Sequence, residues 1–264
     1  MDAQLSGLVT LVSYGNLYLH RMADAEIERA FTRQIGFVFQ AQQAMQFGDL
    51  AADAPPMAIG FWIDRLLRRQ TKRLWLSGFE RNTALAPHIA AAFANGIPVG
   101  IGVQAADGNH LLVPQSEFLE ARRRWVTVFS EQALPAGFAP EAVDLDAQAR
   151  EFAAVLEEIG VFAATVAESP HWRDRFFEPA RQLLLGRGDR RSYLPRIGYG
   201  ATAQRLYAAA VTGWVFGGMG SWNDMGFSND AEHEAYDRIS GRLYAQIHTA
   251  IAAATNAFDP AASS

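Results

Sequence analysis

Few residues of this 264-residue chain have the types and spacing that chemistry demands. Ser77-Gly78-Phe79-Glu80-Arg81 offers a hydroxyl, a carboxylate and a guanidinium at the end of an expected strand, Leu74-Trp75-Leu76-Ser77-Gly78. Ligands of open α/β sheets bind at strand ends, so Ser77 and Glu80 mark where an enzyme acting on a nucleotide- or sugar-like small molecule would have its site. Ser221 lies in a glycine-rich turn but lacks the G-x-S-x-G frame of a nucleophile elbow. Asp224, Asp230, Glu232, His233 and Glu234 could gather round a cation, yet their spacing fits neither an EF-hand loop nor H-E-x-x-H. Carboxylates there suit the first turn of a helix, where the positive end of the backbone dipole favours them. The six histidines are scattered singly and there is no cysteine, which argues against a structural zinc site. Gly198-Tyr199-Gly200-Ala201-Thr202-Ala203 matches G-x-G-x-x-A, but Pro195 breaks the strand that a dinucleotide fingerprint requires, which leaves a helix-opening turn. Gly100-Ile101-Gly102, inside a strand run, is weaker still. The arginines of 65–73, 122–124 and 187–191 read as solvated faces. The expectation is therefore no catalytic residues, no metal and no cofactor.

The segment that departs furthest from ordinary composition is 213–227, Gly-Trp-Val-Phe-Gly-Gly-Met-Gly-Ser-Trp-Asn-Asp-Met-Gly-Phe, with five glycines and two of the six tryptophans. Glycine admits positive φ and close backbone approach, while Trp and Phe supply large buried area. Such a loop has a specified shape. Trp214, Trp222, Asn223, Asp224, Met225 and Phe227 are its candidate loop-shaping or partner-binding residues, with Asn223 and Asp224 expected to bond local backbone.

The elements that position these residues fall into two expected domains. Residues 1–135 read as mixed α/β. Leu8 to His20, interrupted by Gly15-Asn16, and Ile35 to Phe39 are strand candidates. Asp53 and Pro55-Pro56 introduce an amphipathic helix through Ile59, Trp62, Ile63, Leu66 and Leu67. A strand at Arg73 to Phe79, a helix capped by Asn82 or Thr83 and ended by Asn95-Gly96, and a strand from Pro98 to Gln104 have the length of a βαβ crossover. Asp107-Gly108 turns the chain into His110 to Val113, and Ser116 is expected to cap a helix carrying Leu119, Trp125, Val128 and Phe129. After the Pro- and Gly-containing stretch 134–143, residues 144–258 read as four helices with the glycine- and tryptophan-rich loop before the last, which Asn229 caps. The fold class is a mixed α/β N-terminal half with a helical C-terminal half.

With 50% hydrophobic and 19% charged residues the chain can bury a full core. Its longest apolar runs fall far short of the ~20 residues of a membrane span, and Met1-Asp2-Ala3-Gln4-Leu5 opens no signal peptide, so a cytoplasmic protein is expected. The formal charge of -5 argues against nucleic acid and would suit a basic partner.

The phrase Val215-Phe216-Gly217-Gly218-Met219-Gly220-Ser221-Trp222-Asn223-Asp224, between an apolar helix and a capped C-terminal helix, resembles a signature of small bacterial cytoplasmic proteins, some of immunity-protein type. The resemblance covers at most residues 145–258. It implies no catalytic residues and a protein that neutralises a cognate toxin or effector by binding and occluding it. The competing class is the α/β enzyme with a site near Ser77 and Glu80.

Overall fold

The first apolar run of the chain is a helix. In the computed structural model, which describes residues 1, 3–39, 44–47, 59–78, 87–90, 99–119, 124–188 and 194–262, α1 spans Ala3–Leu19 and α2 Ala25–Phe39. This corrects both N-terminal strand assignments, and for the first the reason lies in Gly15-Asn16. A Cβ on Gly15 would stand 2.5 Å from Leu74 Cδ1, so the missing side chain lets α1 lie close against strand β2 (Arg73–Gly78). Asn16, fully buried, then donates through Nδ2 to the Leu74 carbonyl at 2.9 Å and accepts from the Leu74 N–H at 2.8 Å. The pair that reads as a turn is a docking point in mid-helix.

The chain divides into two compact units, one of Asp2–Glu80 with Pro98–Glu141 and one of Arg81–Ile97 with Ala142–Ser264. The first holds a five-stranded sheet in the order β1-β5-β4-β3-β2, with β1 at Ala44–Phe47, β3 at Val99–Ala105, β4 at Gly108–Leu119 and β5 at Arg124–Ala133. β1 runs parallel to β5; every other neighbouring pair is antiparallel. Together with its helices this makes the chain a mixed α/β protein. The expected βαβ crossover is not one, because β2 and β3 are antiparallel, with Arg73 opposite Gln104 and Gly78 opposite Val99. Its expected caps, Asn82, Thr83 and Asn95-Gly96, lie outside the described residues, as do Asp53 and Pro55-Pro56.

The helix expected behind Ser116 is replaced by the β4–β5 hairpin, in which Ser116 pairs with Thr127 and Phe118 with Trp125. Trp125-Val126-Thr127-Val128-Phe129 is β-branched and aromatic, residues that pack well on a pleated surface, and that preference prevails over the spacing read as helical. The β3–β4 register runs from Ala105↔Gly108 to Ile101↔Leu112, and Pro114, with no N–H to donate, follows the last of these pairs. The sheet's buried side chains include Leu74, Trp75, Ile101 and Val103, joined by Leu8, Leu11, Val12 and Leu17 of α1 and by Trp62 and Leu66 of α3 (Ile59–Arg68).

The second unit is helical. Asp144 caps α5 (Leu145–Thr165) by accepting from the N–H groups of Asp146 and Ala147. After Ser169, α6 (Pro170–Trp172) passes through a π turn, Arg173–Phe177, into α7 (Glu178–Leu184). α8 covers Ala201–Thr212, and α9 covers Asp230–Asn256 with Asn229 accepting from the Glu232 N–H at 2.9 Å. Phe152, Leu156 and Ile159 of α5, Leu206 and Tyr207 of α8, and Leu243, Ile247 and Ile251 of α9 are buried together with Phe177. A short helix α4 (Pro87–Ala90) belongs to this unit and packs on α9. Among the described residues no helix is long and apolar enough to cross a membrane.

Candidate functional site

The glycine- and tryptophan-rich loop is built around Trp222, which is fully buried at the start of a single 3-10 turn, Trp222–Asp224. Its indole N–H donates to Ser240 Oγ of α9 at 2.8 Å, and its carbonyl accepts from the Tyr236 hydroxyl at 2.8 Å. Trp172 and Phe177 meet the indole edge-on at 5.6 and 5.5 Å between ring centroids. Residues five apart in an α-helix point about 140° away from each other. The wider π turn between Trp172 and Phe177, closed by the Glu178 N–H donating to the Arg173 carbonyl, lets both rings face Trp222. Phe227 packs on Phe162 and Tyr236 at 5.8 and 5.3 Å. Burial pushes the Tyr236 hydroxyl up to about 12.

Upstream, Trp214 donates its indole N–H to the Phe216 carbonyl at 2.7 Å and packs against Tyr244, tilted, and His248, edge-on, of α9, at 6.2 and 5.3 Å between ring centroids. Tyr244 and His248 are themselves 4.6 Å apart. Burial in this aromatic setting holds the imidazole neutral, with its pKa lowered to about 3, and Nε2 has no hydrogen-bond partner among the described residues.

Between these two anchors the chain turns outward. Ser221 N–H donates to the Gly218 carbonyl at 3.1 Å and Gly220 has φ +83, the arrangement of a type II turn with Met219 and Gly220 at its corner. Of the five glycines in the loop, Gly220 is the one whose backbone needs positive φ. The turn is braced by Ser221 Oγ donating to Gly217 O at 3.0 Å, by the Trp222 N–H donating to Val215 O at 3.1 Å, and by the Gly220 N–H donating to the Asp224 carboxylate. Asn223 reaches further: its Nδ2 donates to the carbonyl of His88 in α4 at 2.8 Å. Met225, half-buried, donates its N–H to Trp222 O at 3.2 Å. At the corner Met219 is 102% exposed.

Of Ser77, Glu80 and Arg81, Ser77 is among the described residues and belongs to the sheet unit. Ser77 is buried in β2, its Oγ bonded to the carbonyl of Gly78 at 3.3 Å, while Phe79, Glu80 and Arg81 lie outside the described residues. Gly198, at φ +77, lies in a turn that leads to Gly200, the residue capping α8, and no strand immediately precedes it. In the acidic cluster Asp224 is engaged by Gly220, and His233 lies 3.7 Å from Asp237, which is outside the cluster. Among the described residues no group of three or more His, Asp or Glu is placed to hold a metal ion.

Two features escape sequence reasoning. Met219 gives no signal because a lone Met in a loop is ordinary; only the turn geometry singles it out. In the sheet unit, Glu131 of β5 accepts from Arg65 at 2.9 Å and Arg69 at 2.5 Å and lies 3.1 Å from His110 Nδ1, while Asp107 lies 2.9 Å from Arg69 and 3.4 Å from His110 Nε2. Hydrogen bonding to Arg69 holds the Asp107 carboxyl below its ordinary value. The two arginines balance the two carboxylates, so this group reads as an ion-pair clasp over the β3–β4 turn.

No protein-family model, no curated protein and no solved structure matches this chain.

Proposed function

We propose that this protein is an immunity-type binding protein, which neutralises a cognate bacterial toxin or effector in the cytoplasm by forming a stable complex with it. The observation that carries the reading is the construction of the 213–227 loop: its large aromatics are used inward, and the turn they brace presents main chain and an exposed Met219. A centre for nucleophilic catalysis needs a nucleophile, a base and a group to orient the base within hydrogen-bond reach. The loop offers instead a rigid surface of the kind that lowers the entropy lost on binding. In this reading the N-terminal half, with its sheet, is the α/β part of the molecule and the helical C-terminal half carries the contact loop. An occluding interface of this kind should bury about 1,200 to 2,000 Å² in total.

The test is co-expression with the product of the adjacent gene. Cells making that product should survive when this chain is present and die when it is absent, and the two proteins should co-purify as a stoichiometric complex. Survival that is lost on Ser77→Ala or Glu80→Ala, in variants that still fold and still bind, would overturn occlusion in favour of enzymatic neutralisation.

A further inference from the structure

Resting on the binding reading above, the geometry points to Met219 as the anchor of that interface and to a basic protein surface, with an apolar socket for one side chain, as what it docks against. We infer this from two independent features of the loop. The first is exposure on a fixed support. Among the described residues the other large hydrophobic side chains on the surface are at most 58% exposed, so each still lies partly on its own chain, whereas Met219 is 102% exposed and touches little of it. The backbone beneath it is fixed by the Ser221–Gly218 turn bond, the Ser221 hydroxyl, the Asp224 carboxylate and the buried Trp222. A scattered exposed apolar residue needs no explanation, but one raised on a backbone this heavily braced is preorganised for insertion. Methionine, flexible and polarisable, fills irregular pockets, and it is enriched at the cores of protein interfaces.

The second feature is charge. Between Arg205 and Arg238 the sequence contains no Lys or Arg, but it contains Asp224, Asp230, Glu232, Glu234 and Asp237. Asp224 is bonded to the residue next to Met219, and Asp230, Glu232 and Glu234 open α9, the helix to which the loop is tied through Tyr236 and Ser240. Among the described residues the basic side chains within 4 Å of these carboxylates are imidazoles: His88, 3.6 Å from Asp237, and His233, 3.7 Å from it. The stretch that follows the apolar tip therefore carries net negative charge. Complementary charge of this kind sets association rate and excludes like-charged partners, while the buried anchor sets dissociation.

The experiment measures binding of the purified adjacent-gene product to the full-length chain and three variants, by surface-immobilised kinetics at two salt concentrations. Met219→Glu should weaken affinity by at least about 30-fold, through faster dissociation, as loss of a central anchor does. Its thermal unfolding should match that of the unaltered protein. Met219→Leu, of similar volume, should bind within about threefold. The double variant Asp230→Asn/Glu234→Gln should associate several-fold more slowly at low salt and equally at high salt, as screening removes the difference. Unaltered affinity in Met219→Glu, or faster association in the double variant, overturns this proposal and leaves the binding function standing. Failure of the unaltered chain to form any complex overturns both.

Discussion

Asn16 shows how a single amide can complete an element to which it does not belong. β2 is the edge strand beside β3, and Leu74 would leave an unpaired N–H and C=O on its outer side. The Asn16 carboxamide carries one acceptor and two donors, and its bonds at 2.8 and 2.9 Å satisfy both groups as a neighbouring strand would. The residue is fully buried and Leu74 is too, so water cannot substitute. Asn16→Ala should therefore lower unfolding stability by about 2–4 kcal/mol, the sum of two buried groups left without partners. Asn16→Asp, which keeps the acceptor but loses the donor and buries a charge, should cost at least as much. Urea titration of the three proteins checks both; a loss under about 0.5 kcal/mol in Asn16→Ala would show that the amide does not hold the strand edge. On the inner side of that strand, Gly102 of β3 leaves room for the Trp75 indole, which covers it from the paired strand where a Cβ would clash.

At the level of elements, the 213–227 loop owes its shape to three helices. The π turn after α6 turns Trp172 and Phe177 onto Trp222, α5 contributes Phe162, and α9 contributes Tyr236 and the hydroxyl of fully buried Ser240. Trp222→Ala should destabilise the protein by about 3–5 kcal/mol, as emptying a large core site does. Ser240→Ala, which leaves a buried indole N–H unpaired, should cost about 1–3 kcal/mol. Trp214→Ala, at a half-buried position, should cost less than Trp222→Ala; the reverse order in thermal unfolding would mean that Trp222 is not the loop's main anchor. These contacts also explain what was legible beforehand. The composition of the loop announces a specified backbone, and the stripes of α5, α8 and α9 and the cap of α9 can be read because 3.6-residue periodicity and Asn229 are local signals. The edge role of Asn16 and the antiparallel pairing of β2 with β3 could not, because both depend on contacts between residues far apart in sequence. The β4–β5 hairpin was lost to apolar spacing that both helix and strand can satisfy. Met219 was invisible for the opposite reason, as its significance lies in touching so little.

Over the whole molecule, the response to pH follows from groups whose protonation the fold resists or enforces. His248 takes up a proton near 6.5 in the unfolded chain but only near 3 in the folded one, because the charged imidazole would be stripped of water among Trp214 and Tyr244. The unfolded state then binds more protons across that interval, and stability falls by about 1.4 kcal/mol for each pH unit as pH drops from 6.5 towards 3, where it levels off. Asp144, bonded to the N–H groups of Ala147 and Asp146, and Asp107, bonded to Arg69, are both held below their ordinary value of 3.8. Their stabilisation is present above that value and disappears as pH falls through their lower folded-state values, so it adds a second acid loss below the first. On the alkaline side Tyr236 ionises near 10 when unfolded and near 12 when folded, and stability declines between those limits as the unfolded chain loses its proton first. The resulting profile should be broad and highest between about 6.5 and 10. Because His248, Tyr236 and Asp144 belong to the helical unit and Asp107 to the sheet unit, hydrogen exchange followed peptide by peptide separates them. His248→Leu should flatten the helical unit's profile between pH 6.5 and 3 while leaving the sheet unit's unchanged. Tyr236→Phe should reduce the helical unit's decline above pH 10 and leave the sheet unit's, where burial also raises the Tyr18 hydroxyl. A profile for His248→Leu that keeps the original slope between pH 6.5 and 4 would show that the imidazole is protonated within the fold, and that the aromatic cluster around Trp214 admits charge.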